Sequence, residues 1–308
     1  MIPTLFIVLT LVFLLVRVMP GDVAAMMVSE SRAVKGDAAQ TADAIRKRLG
    51  LDKPIHAQFL NYVASVARGD FGESAWSRQP TLSRLLEAYP ITLQLAVMTI
   101  IISLLIAIPS GIISALKQDS WPDYVVRVFT IMGLSAPNFW IATILIIFPA
   151  IWFGFLPPLR YVSFFEDPLL NLKQFLLPSI SIGIALAGSV SRLTRSQMLE
   201  VLRQDYIRTA WSKGLRQRLI IYRHALKNAL IPVVTYSGLQ MIALLGGSVI
   251  AEQVFALPGI GRLTIGAIFD RDYPQIQTNI LAFSFTVVML NLIVDLTYGW
   301  LDPRIRYE

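Results

Sequence analysis

Cysteine is absent from the 308-residue sequence. This absence excludes disulfides, zinc–thiolate sites, iron–sulfur clusters and thiol nucleophiles. Histidine occurs only at His56 and His224, which lie far apart in the sequence and form no metal-binding pattern. Charged residues make up 15% of the chain and hydrophobic residues 55%, whereas a soluble domain has about 25% charged residues. The composition therefore disfavours both a cytosolic enzyme and a disordered chain.

Motifs for nucleotide binding and for covalent chemistry are also missing. The phosphate-binding pattern GxxxxGK[ST] does not occur, so we do not expect the chain to bind ATP through a P-loop. No Gly-x-Ser-x-Gly, His-Glu-x-x-His or kinase pattern occurs. We therefore expect no catalytic residue, no metal ligand and no cofactor in this chain.

Long hydrophobic runs are the dominant feature that is present. About 20 mostly apolar residues suffice to cross a bilayer, and six segments are candidates. They are Ile2–Met19, Ile91–Leu116, Val125–Phe153, Phe175–Val190, Leu230–Phe255 and Ile276–Trp300. The first could instead be a signal peptide, but it lacks a basic start and a clear cleavage site, so we interpret it as a retained span. The fourth is short and serine-rich, which suits close helix packing. The sequence predicts an all-α membrane protein with about six transmembrane helices.

The positive charge is concentrated in one segment. Residues 192–228 contain nine basic and two acidic residues, a surplus equal to the whole net charge of +7. Residues 21–90 contain nine basic and eight acidic residues. Because Lys and Arg accumulate in cytoplasmic loops, we expect 192–228 in the cytoplasm and 21–90 outside it. Six spans then place both termini in the cytoplasm. The basic run is held between two spans, which favours contact with anionic lipid over nucleic-acid binding.

Both of these segments have helical patterns. In the first, Thr41–Leu49 is predicted as a short helix that ends at Gly50. A second helix follows Pro54 and stops at Gly69, and its apolar residues share one face. These apolar residues are Ile55, Phe59, Tyr62, Val63 and Val66. We expect 21–90 to form an amphipathic cap, which could be a plain lid or a docking surface for a delivery protein.

In the second segment the apolar residues also step at helical intervals. They are Leu199, Leu202, Tyr206 and Ala210. Gly214 then ends or bends this helix, and a second helix follows over Leu215–Leu226. A turn between two short helices could insert into a partner or could be an inert loop, and spacing alone leaves both open.

Polar residues within the spans are few. Glu252 lies near the outer end of the fifth span and Asp295 near the inner end of the sixth, where a structural role is favoured over proton coupling. Other polar residues could line a path or could pack helices together. They are Ser135, Asn138, Thr143, Gln240 and Ser248, of which we select Ser135, Asn138 and Gln240 as candidates for a substrate path.

The order of short motifs along the chain resembles one protein family. These motifs are Pro20-Gly21-Asp22, Gly69-Asp70-Phe71-Gly72-Glu73-Ser74, Asp205-Tyr206-Ile207-Arg208-Thr209-Ala210, Lys213-Gly214-Leu215, His224-Ala225-Leu226-Lys227-Asn228, Pro258-Gly259-Ile260-Gly261-Arg262, Arg271-Asp272-Tyr273-Pro274 and Asp302-Pro303-Arg304. The whole chain resembles the permease subunits of ATP-binding-cassette (ABC) importers for dipeptides, oligopeptides, glutathione and nickel. The resemblance implies the type I ABC importer permease fold over residues 1–308 in the bacterial cytoplasmic membrane.

The resemblance also assigns a role to residues 192–228. In this family a cytoplasmic signature of Glu-Ala-Ala, a later Gly and then Ile-x-Leu-Pro inserts into the ATPase subunit. When the glycine is aligned on Gly214, Ala210 and Leu226 match, whereas Arg208 and Lys227 replace the acid and the proline. The ATPase-coupling residues that the resemblance implies are Asp205, Tyr206, Arg208, Thr209, Ala210, Lys213, Gly214 and His224.

The partners implied by the resemblance are a second homologous permease, two ATPase subunits that bind the ATP and magnesium, an extracytoplasmic substrate-binding protein and the lipid bilayer. The expected cargo is a dipeptide, an oligopeptide or a glutathione-like peptide. One alternative is a secondary transporter that runs alone on an ion gradient. It predicts an essential membrane carboxylate, Glu252 or Asp295.

Overall fold

Helices make up most of the computed structural model, which describes residues 2–18, 43, 46, 47, 50, 52–156, 158 and 160–301. In the last helix the side chains are described up to Ile293. In chain order the helices are α1 (Ile2–Val18), α2 (Ile55–Ala67), α3 (Thr81–Leu116), α4 (Trp121–Ser135), α5 (Asn138–Phe153), α6 (Pro168–Leu202), α7 (Asp205–Ser212), α8 (Gln217–Leu219), α9 (Leu226–Gly247), α10 (Val249–Val254), α11 (Ile260–Phe269) and α12 (Tyr273–Leu301), with a π-helical turn over Ile220–Ala225 between α8 and α9.

Four stretches of single helix are long and apolar enough to cross a membrane. They are Thr81–Leu116, Pro168–Leu202, Gln217–Gly246 and Tyr273–Ile293. They correspond to the predicted second, fourth, fifth and sixth spans, and the predicted all-helical membrane fold is confirmed. The apolar helix α1 has 17 residues, and at 1.5 Å per residue it measures about 26 Å, slightly less than the ~30 Å hydrocarbon core.

The predicted third span is wrong in one respect, because it is not a continuous helix. Helices α4 and α5 meet at an angle of 104°. Ala136 lies between them in an extended conformation, because the ring of Pro137 disfavours helical geometry in the residue before it. If the bent pair is counted as one span, the described residues contain five.

Several boundaries of the other spans also differ from the prediction. Helix α3 begins at Thr81, ten residues before the predicted span, so the last part of the predicted 21–90 cap is continuous with a membrane helix. The fifth span begins at Gln217 rather than at the predicted Leu230, so its first part lies inside the predicted cytoplasmic segment 192–228. Helix α9 of this span ends at Gly247, before the predicted Phe255, because the helix is interrupted at Ser248 before α10.

The chain forms two compact units. The first contains residues 1–90 and 262–289, and the second contains residues 91–261 and 290–308. In the first unit, α2 ends one residue before Arg68, close to the predicted stop at Gly69. Its Phe59 and Tyr62 contact Phe13 of α1, with ring centroids 5.3 and 5.8 Å apart. Most of the predicted helix Thr41–Leu49 lies outside the described residues.

Small residues allow the helices of the second unit to pack closely. A Cβ added at Gly188 of α6 would lie 2.9 Å from the Thr130 carbonyl oxygen of α4. A Cβ added at Gly111 of α3 would lie 2.6 Å from Cβ of Thr194 in α6. These distances are too short for a real side chain, so the glycines permit backbone-level contact between spans. For Gly188, this confirms that small residues of the fourth span serve helix packing.

Candidate coupling surface and polar clusters

Helix α7 is an eight-residue helix between two long ones, α6 and the Gln217–Gly246 span. Its buried face consists of Ile207 and Ala210, which pack against Met198 of α6 and Ile112 of α3. The same cluster contains the π-helical turn and the start of α9. Because α7 packs on the ends of three spans, movement of α7 would be transmitted directly to them.

The buried face differs from the predicted one. Leu199 and Leu202 belong to α6, which ends at Leu202, and a break at Arg203–Gln204 separates them from α7. Tyr206 is 43% exposed and not part of the buried stripe, whereas Ile207 is fully buried. The prediction that these residues share one helix face is therefore wrong, because the two residues between α6 and α7 change the direction in which the side chains of α7 point.

Gly214 ends α7 in a left-handed conformation with φ of +73°. Its N–H donates to the carbonyl oxygen of Trp211 at 2.9 Å, and the N–H of Leu215 donates to that of Ala210 at 3.4 Å. These two bonds form a Schellman motif, which favours glycine because a side chain opposes positive φ. The prediction that Gly214 ends the helix is confirmed.

The remaining coupling candidates lie mainly on the outer side of α7. Asp205 and Arg208 form an exposed ion pair at 3.4 Å. Thr209 and Lys213 are also exposed. His224 is half-buried in the π-helical turn, and its carbonyl oxygen lies 3.5 Å from the Tyr206 hydroxyl, which donates to it. In contrast, Ala210 is 7% exposed, so it can only position the helix.

Trp211 was not among the predicted coupling residues. Its side chain is 47% exposed on α7, and Tyr222 nearby in the sequence is 61% exposed. An indole left in solvent on a charged helix is a common anchor of protein interfaces. The single tryptophan within Asp205–Ser212 was visible in the sequence, but only the structure shows that it faces outward.

The three candidates for the substrate path do not form one cluster. Ser135 ends α4 and Asn138 begins α5, so both flank the break in the third span. Gln240 is half-buried on α9, and among the described residues no hydrogen bond joins it to Ser135 or Asn138. Of the remaining polar candidates, Thr143 bonds back to its own helix through the carbonyl oxygen of Phe139.

Glu252 is fully buried in the second unit. Its carboxylate accepts hydrogen bonds from Thr92 Oγ1 at 2.8 Å and from Ser248 Oγ at 3.1 Å. Thr92 Oγ1 in turn accepts the N–H of Ile260 at 2.9 Å. Glu252 thus holds the loop before α11 in place, which supports the structural role that the sequence favoured. The side chain of Asp295 lies outside the described residues.

Gly259 in this loop is a test of how tightly the Glu252 carboxylate is packed. We expect Gly259→Ala to destabilise the protein by about 1–3 kcal/mol through overpacking, because the new Cβ would lie 2.4 Å from Glu252 Cδ. Gly266→Ala is the matched control, since no neighbouring atom of the described residues lies within 4 Å of the added Cβ. The midpoints of thermal unfolding of the two purified variants provide the comparison, and equal midpoints would contradict the packing argument.

A second buried carboxylate, Asp123, joins three helices of the second unit. Arg195 of α6 donates to both of its oxygens at 3.0 Å. Arg127 of α4 donates to both at 3.1 and 2.5 Å. Ser114 of α3 donates to Oδ1, and the N–H of Asp119 donates to Oδ2 at 3.0 Å. The Asp123 side chain is fully buried, so the two arginines supply the charge that makes its burial tolerable.

Two of the short sequence motifs meet in the first unit. Asp272 accepts the hydroxyl of Ser74 at 2.5 Å and the N–H of Ala75 at 3.0 Å. Trp76 Nε1 donates to the carbonyl oxygen of Asp270 at 2.6 Å. The Gly69–Ser74 motif is therefore fixed to the start of α12, which explains why both motifs need these residue types. Among the described residues no group of three or more His, Asp or Glu side chains could hold a metal ion.

Comparisons with known proteins cover the whole chain. Residues 107–307 match the profile of a family described as binding-protein-dependent transport system inner membrane component, and residues 1–96 match its N-terminal counterpart. A peptide transport system permease protein of Brucella abortus (strain 2308) is 39% identical over 307 residues, which cover 100% of this chain and 96% of that protein. The glutathione transport system permease protein GsiC of Escherichia coli (strain K12) is 38% identical over 308 residues, with the same coverage.

Solved structures show a similar fold at low sequence identity. The methionine ABC transporter MetNI contains a chain with a TM-score of 0.57 and 16% identity, which covers 72% of this chain and 98% of that one. An amino acid ABC transporter gives a TM-score of 0.54 at 14% identity, covering 70% and 93%. At these identities the likeness concerns the fold, and it agrees with the predicted permease architecture.

Proposed function

The chain belongs to the family of binding-protein-dependent transport system inner membrane components, and we propose that it couples peptide import to a partner ATPase through α7. As a member of this family it is a multi-pass permease subunit of an ABC importer. The observation that carries the proposal is the packing of α7: Ile207 is buried against the ends of three spans, while Trp211 points outward.

The mechanism follows from this packing. A partner ATPase that closes on ATP would move α7 as a rigid body, because the Schellman turn at Gly214 and the buried Ile207 fix it to the spans. The stretch Gln217–Gly246 is helical from the end of the coupling turn into the membrane. ATP can shift the spans between inward- and outward-facing states only if it binds one state better than the other.

The assembly that we propose contains this chain, a second homologous permease, two ATPase subunits and an extracytoplasmic substrate-binding protein. The charge of residues 192–228 supports a cytoplasmic position for α7, and it supports cytoplasmic termini as well. ATP and magnesium would be bound by the ATPase subunits. This chain would contribute no covalent chemistry.

The cargo that we propose is a peptide, either a short oligopeptide or a glutathione-like peptide. Relatives that share 38–39% identity are named for peptide and glutathione transport. A cargo path would pass Ser135 and Asn138, because the break between α4 and α5 frees backbone groups, and such groups are tolerated at membrane depth beside a cavity. The ion-driven alternative gains no support from Glu252, whose carboxylate is bonded to Thr92 and Ser248.

Purification of the tagged complex from mild detergent tests the coupling role. We expect the wild-type chain to copurify with an ATPase and a second permease. Trp211→Ala should reduce the copurified ATPase by about tenfold or more, because truncation of an aromatic anchor costs about 2 kcal/mol or more.

Trp152→Ala is the matched control for this experiment. Trp152 lies near the end of α5 and is 72% exposed, so its truncation should leave the copurified ATPase unchanged. If Trp211→Ala retains the ATPase as well as Trp152→Ala does, α7 is not the contact. If the chain purifies alone and transports in liposomes without ATP, the coupling proposal is wrong as a whole.

A further inference from the structure

The first unit contains a polar cavity of about 240 Å³. Arg17 of α1, Tyr62 of α2 and Gln277 of α12 line it, together with Lys53 and Asp70 from the connections around α2. Permease coupling does not use any of these residues. A cavity with cationic and neutral polar side chains in its lining is suited to binding a polar ligand.

Two polar groups on side chains that line the cavity have no hydrogen-bond partner among the described residues. They are the Tyr62 hydroxyl and Nε2 of Gln277. Gln277 is only 8% exposed, and buried polar groups in proteins are nearly always bonded. Burial raises the pKa of Tyr62 to about 12, so its hydroxyl stays protonated and remains a donor at physiological pH. Both side chains line the cavity, and each keeps a donor that no described residue accepts.

The charges of the cavity favour an anionic acceptor. Arg17 donates through Nε to Gln58 Oε1 at 2.8 Å, and no described residue forms an ion pair with it. Lys53 supplies a second positive charge. Asp70 is the acidic residue in the lining, and one of its oxygens accepts the N–H of Gly72 at 2.9 Å. With two cations and one carboxylate, the lining carries a net positive charge.

An apolar groove of about 720 Å³ continues from this cavity along the same helices. Phe71 lines both the cavity and the groove. On α1 the groove residues lie at least one turn before the cavity residues, and on α12 they follow the cavity residues directly. They are Leu5, Phe6 and Leu9 on α1, and Thr278, Leu281, Ala282, Phe285 and Thr286 on α12. The cavity lies at the C-terminus of α1 and the N-terminus of α12, so each helix has polar residues at the cavity and mainly apolar residues along the groove.

We propose that the first unit binds one phospholipid, with its phosphate in the polar cavity and an acyl chain in the apolar groove. The cavity offers cations and free donors, the ligand set that recognises a phosphate. Beyond Phe71 the surface of the groove is predominantly apolar, and each buried methylene of an acyl chain adds to binding. A phospholipid has both parts in this order, and for an inner membrane component it is the abundant amphiphile.

Native mass spectrometry of the intact complex tests this proposal. The complex is delipidated in mild detergent and titrated with phosphatidylglycerol. Parallel titrations use diacylglycerol with the same chains, and inorganic phosphate. We expect retained phosphatidylglycerol, at least about tenfold weaker retention of diacylglycerol, and no competition by millimolar phosphate.

Variants locate the site. Lys53→Gln combined with Gln277→Leu removes a charge and a donor from the cavity and should weaken phosphatidylglycerol retention about tenfold, which is about 1.4 kcal/mol. Ala282→Phe fills the groove and should weaken both phosphatidylglycerol and diacylglycerol. Arg68→Gln is the matched control, because Arg68 caps α2 and does not line the cavity.

The outcomes separate the possible occupants. Loss of phosphatidylglycerol in the cavity and groove variants, with retention in Arg68→Gln, supports the proposal. Equal retention of phosphatidylglycerol and diacylglycerol overturns the phosphate site. Displacement by inorganic phosphate alone identifies a free-anion site and overturns the lipid. If the double variant does not fold, Lys53→Gln alone decides, since Lys53 is exposed and its unchanged retention contradicts the proposal.

Discussion

Replacement of Asp123 by alanine is expected to destabilise the protein by about 3–5 kcal/mol, the usual cost of breaking a buried ion pair. The carboxylate is fully buried and bonds Arg195, Arg127 and Ser114, which belong to three different helices. Without it, two partly exposed guanidinium groups lose their shared buried counter-charge, and of the two only Arg127 keeps a described acidic partner, Asp119 at 3.0 Å. The measurement is the midpoint of thermal unfolding of the purified complex, followed by loss of monodisperse protein.

Two arginine variants of α6 distinguish the loss of this cluster from the loss of a positive charge in general. Arg195→Gln should also destabilise the protein, because it leaves Asp123 with one arginine. Arg192→Gln removes the same charge from an exposed position one turn earlier on α6 and should leave the midpoint unchanged. If Asp123→Ala unfolds at the wild-type temperature, the cluster is not a structural node of the second unit.

Replacement of Gly214 by proline is expected to abolish ATP-driven uptake while the chain still inserts into the membrane. Proline fixes φ near −65° and has no N–H, whereas Gly214 has φ of +73° and donates to Trp211. Loss of the Schellman turn would detach the end of α7 from the start of the Gln217–Gly246 span. We expect uptake to fall at least about tenfold, which corresponds to about 1.4 kcal/mol in the coupling equilibrium.

Gly214→Ala provides a graded control for this prediction. In the described part of the chain no neighbouring atom lies within 4 Å of the Cβ of this alanine, so its cost is limited to backbone strain of about 1 kcal/mol. Uptake by Gly214→Ala should lie between that of the wild type and that of Gly214→Pro. Full uptake by the proline variant would show that the turn does not transmit the movement of the ATPase.

Most of the membrane architecture could be predicted from the sequence, because runs of apolar residues indicate directly which segments are buried in lipid. The helix after Pro54 was predicted from the spacing of Phe59, Tyr62 and their neighbours, and it forms as Ile55–Ala67. The break at Pro137 was not predicted. Prolines at positions 149, 178 and 232 lie inside helices of the same chain, so residue type alone did not identify the one that separates two helices.

The side-chain clusters were much harder to predict from the sequence than the spans. Asp123 and Arg127 are spaced for an ion pair on one helix, but Arg195 is 72 residues further along the chain. The helix that ends near Gly214 was predicted from the sequence, yet its buried face was misassigned because two residues after Leu202 separate it from the preceding helix. Short-range patterns predict elements well, whereas contacts between distant segments depend on the packing itself.

The small residues of α6 also bear on the biogenesis of the protein. Of the four single stretches that can cross the membrane, Pro168–Leu202 has the least apolar membrane-spanning section, and the largest share of that section is buried in the protein. Its insertion into lipid without protein partners is therefore less favourable than that of the other three. The residues that receive it are made earlier: Gly183 faces Thr99 and Ile102, and Gly188 faces Thr130. Helix α6 is therefore synthesised after the residues of α3 and α4 against which it packs. We expect that truncated chains ending soon after α6 insert this helix efficiently only when α3 and α4 precede it.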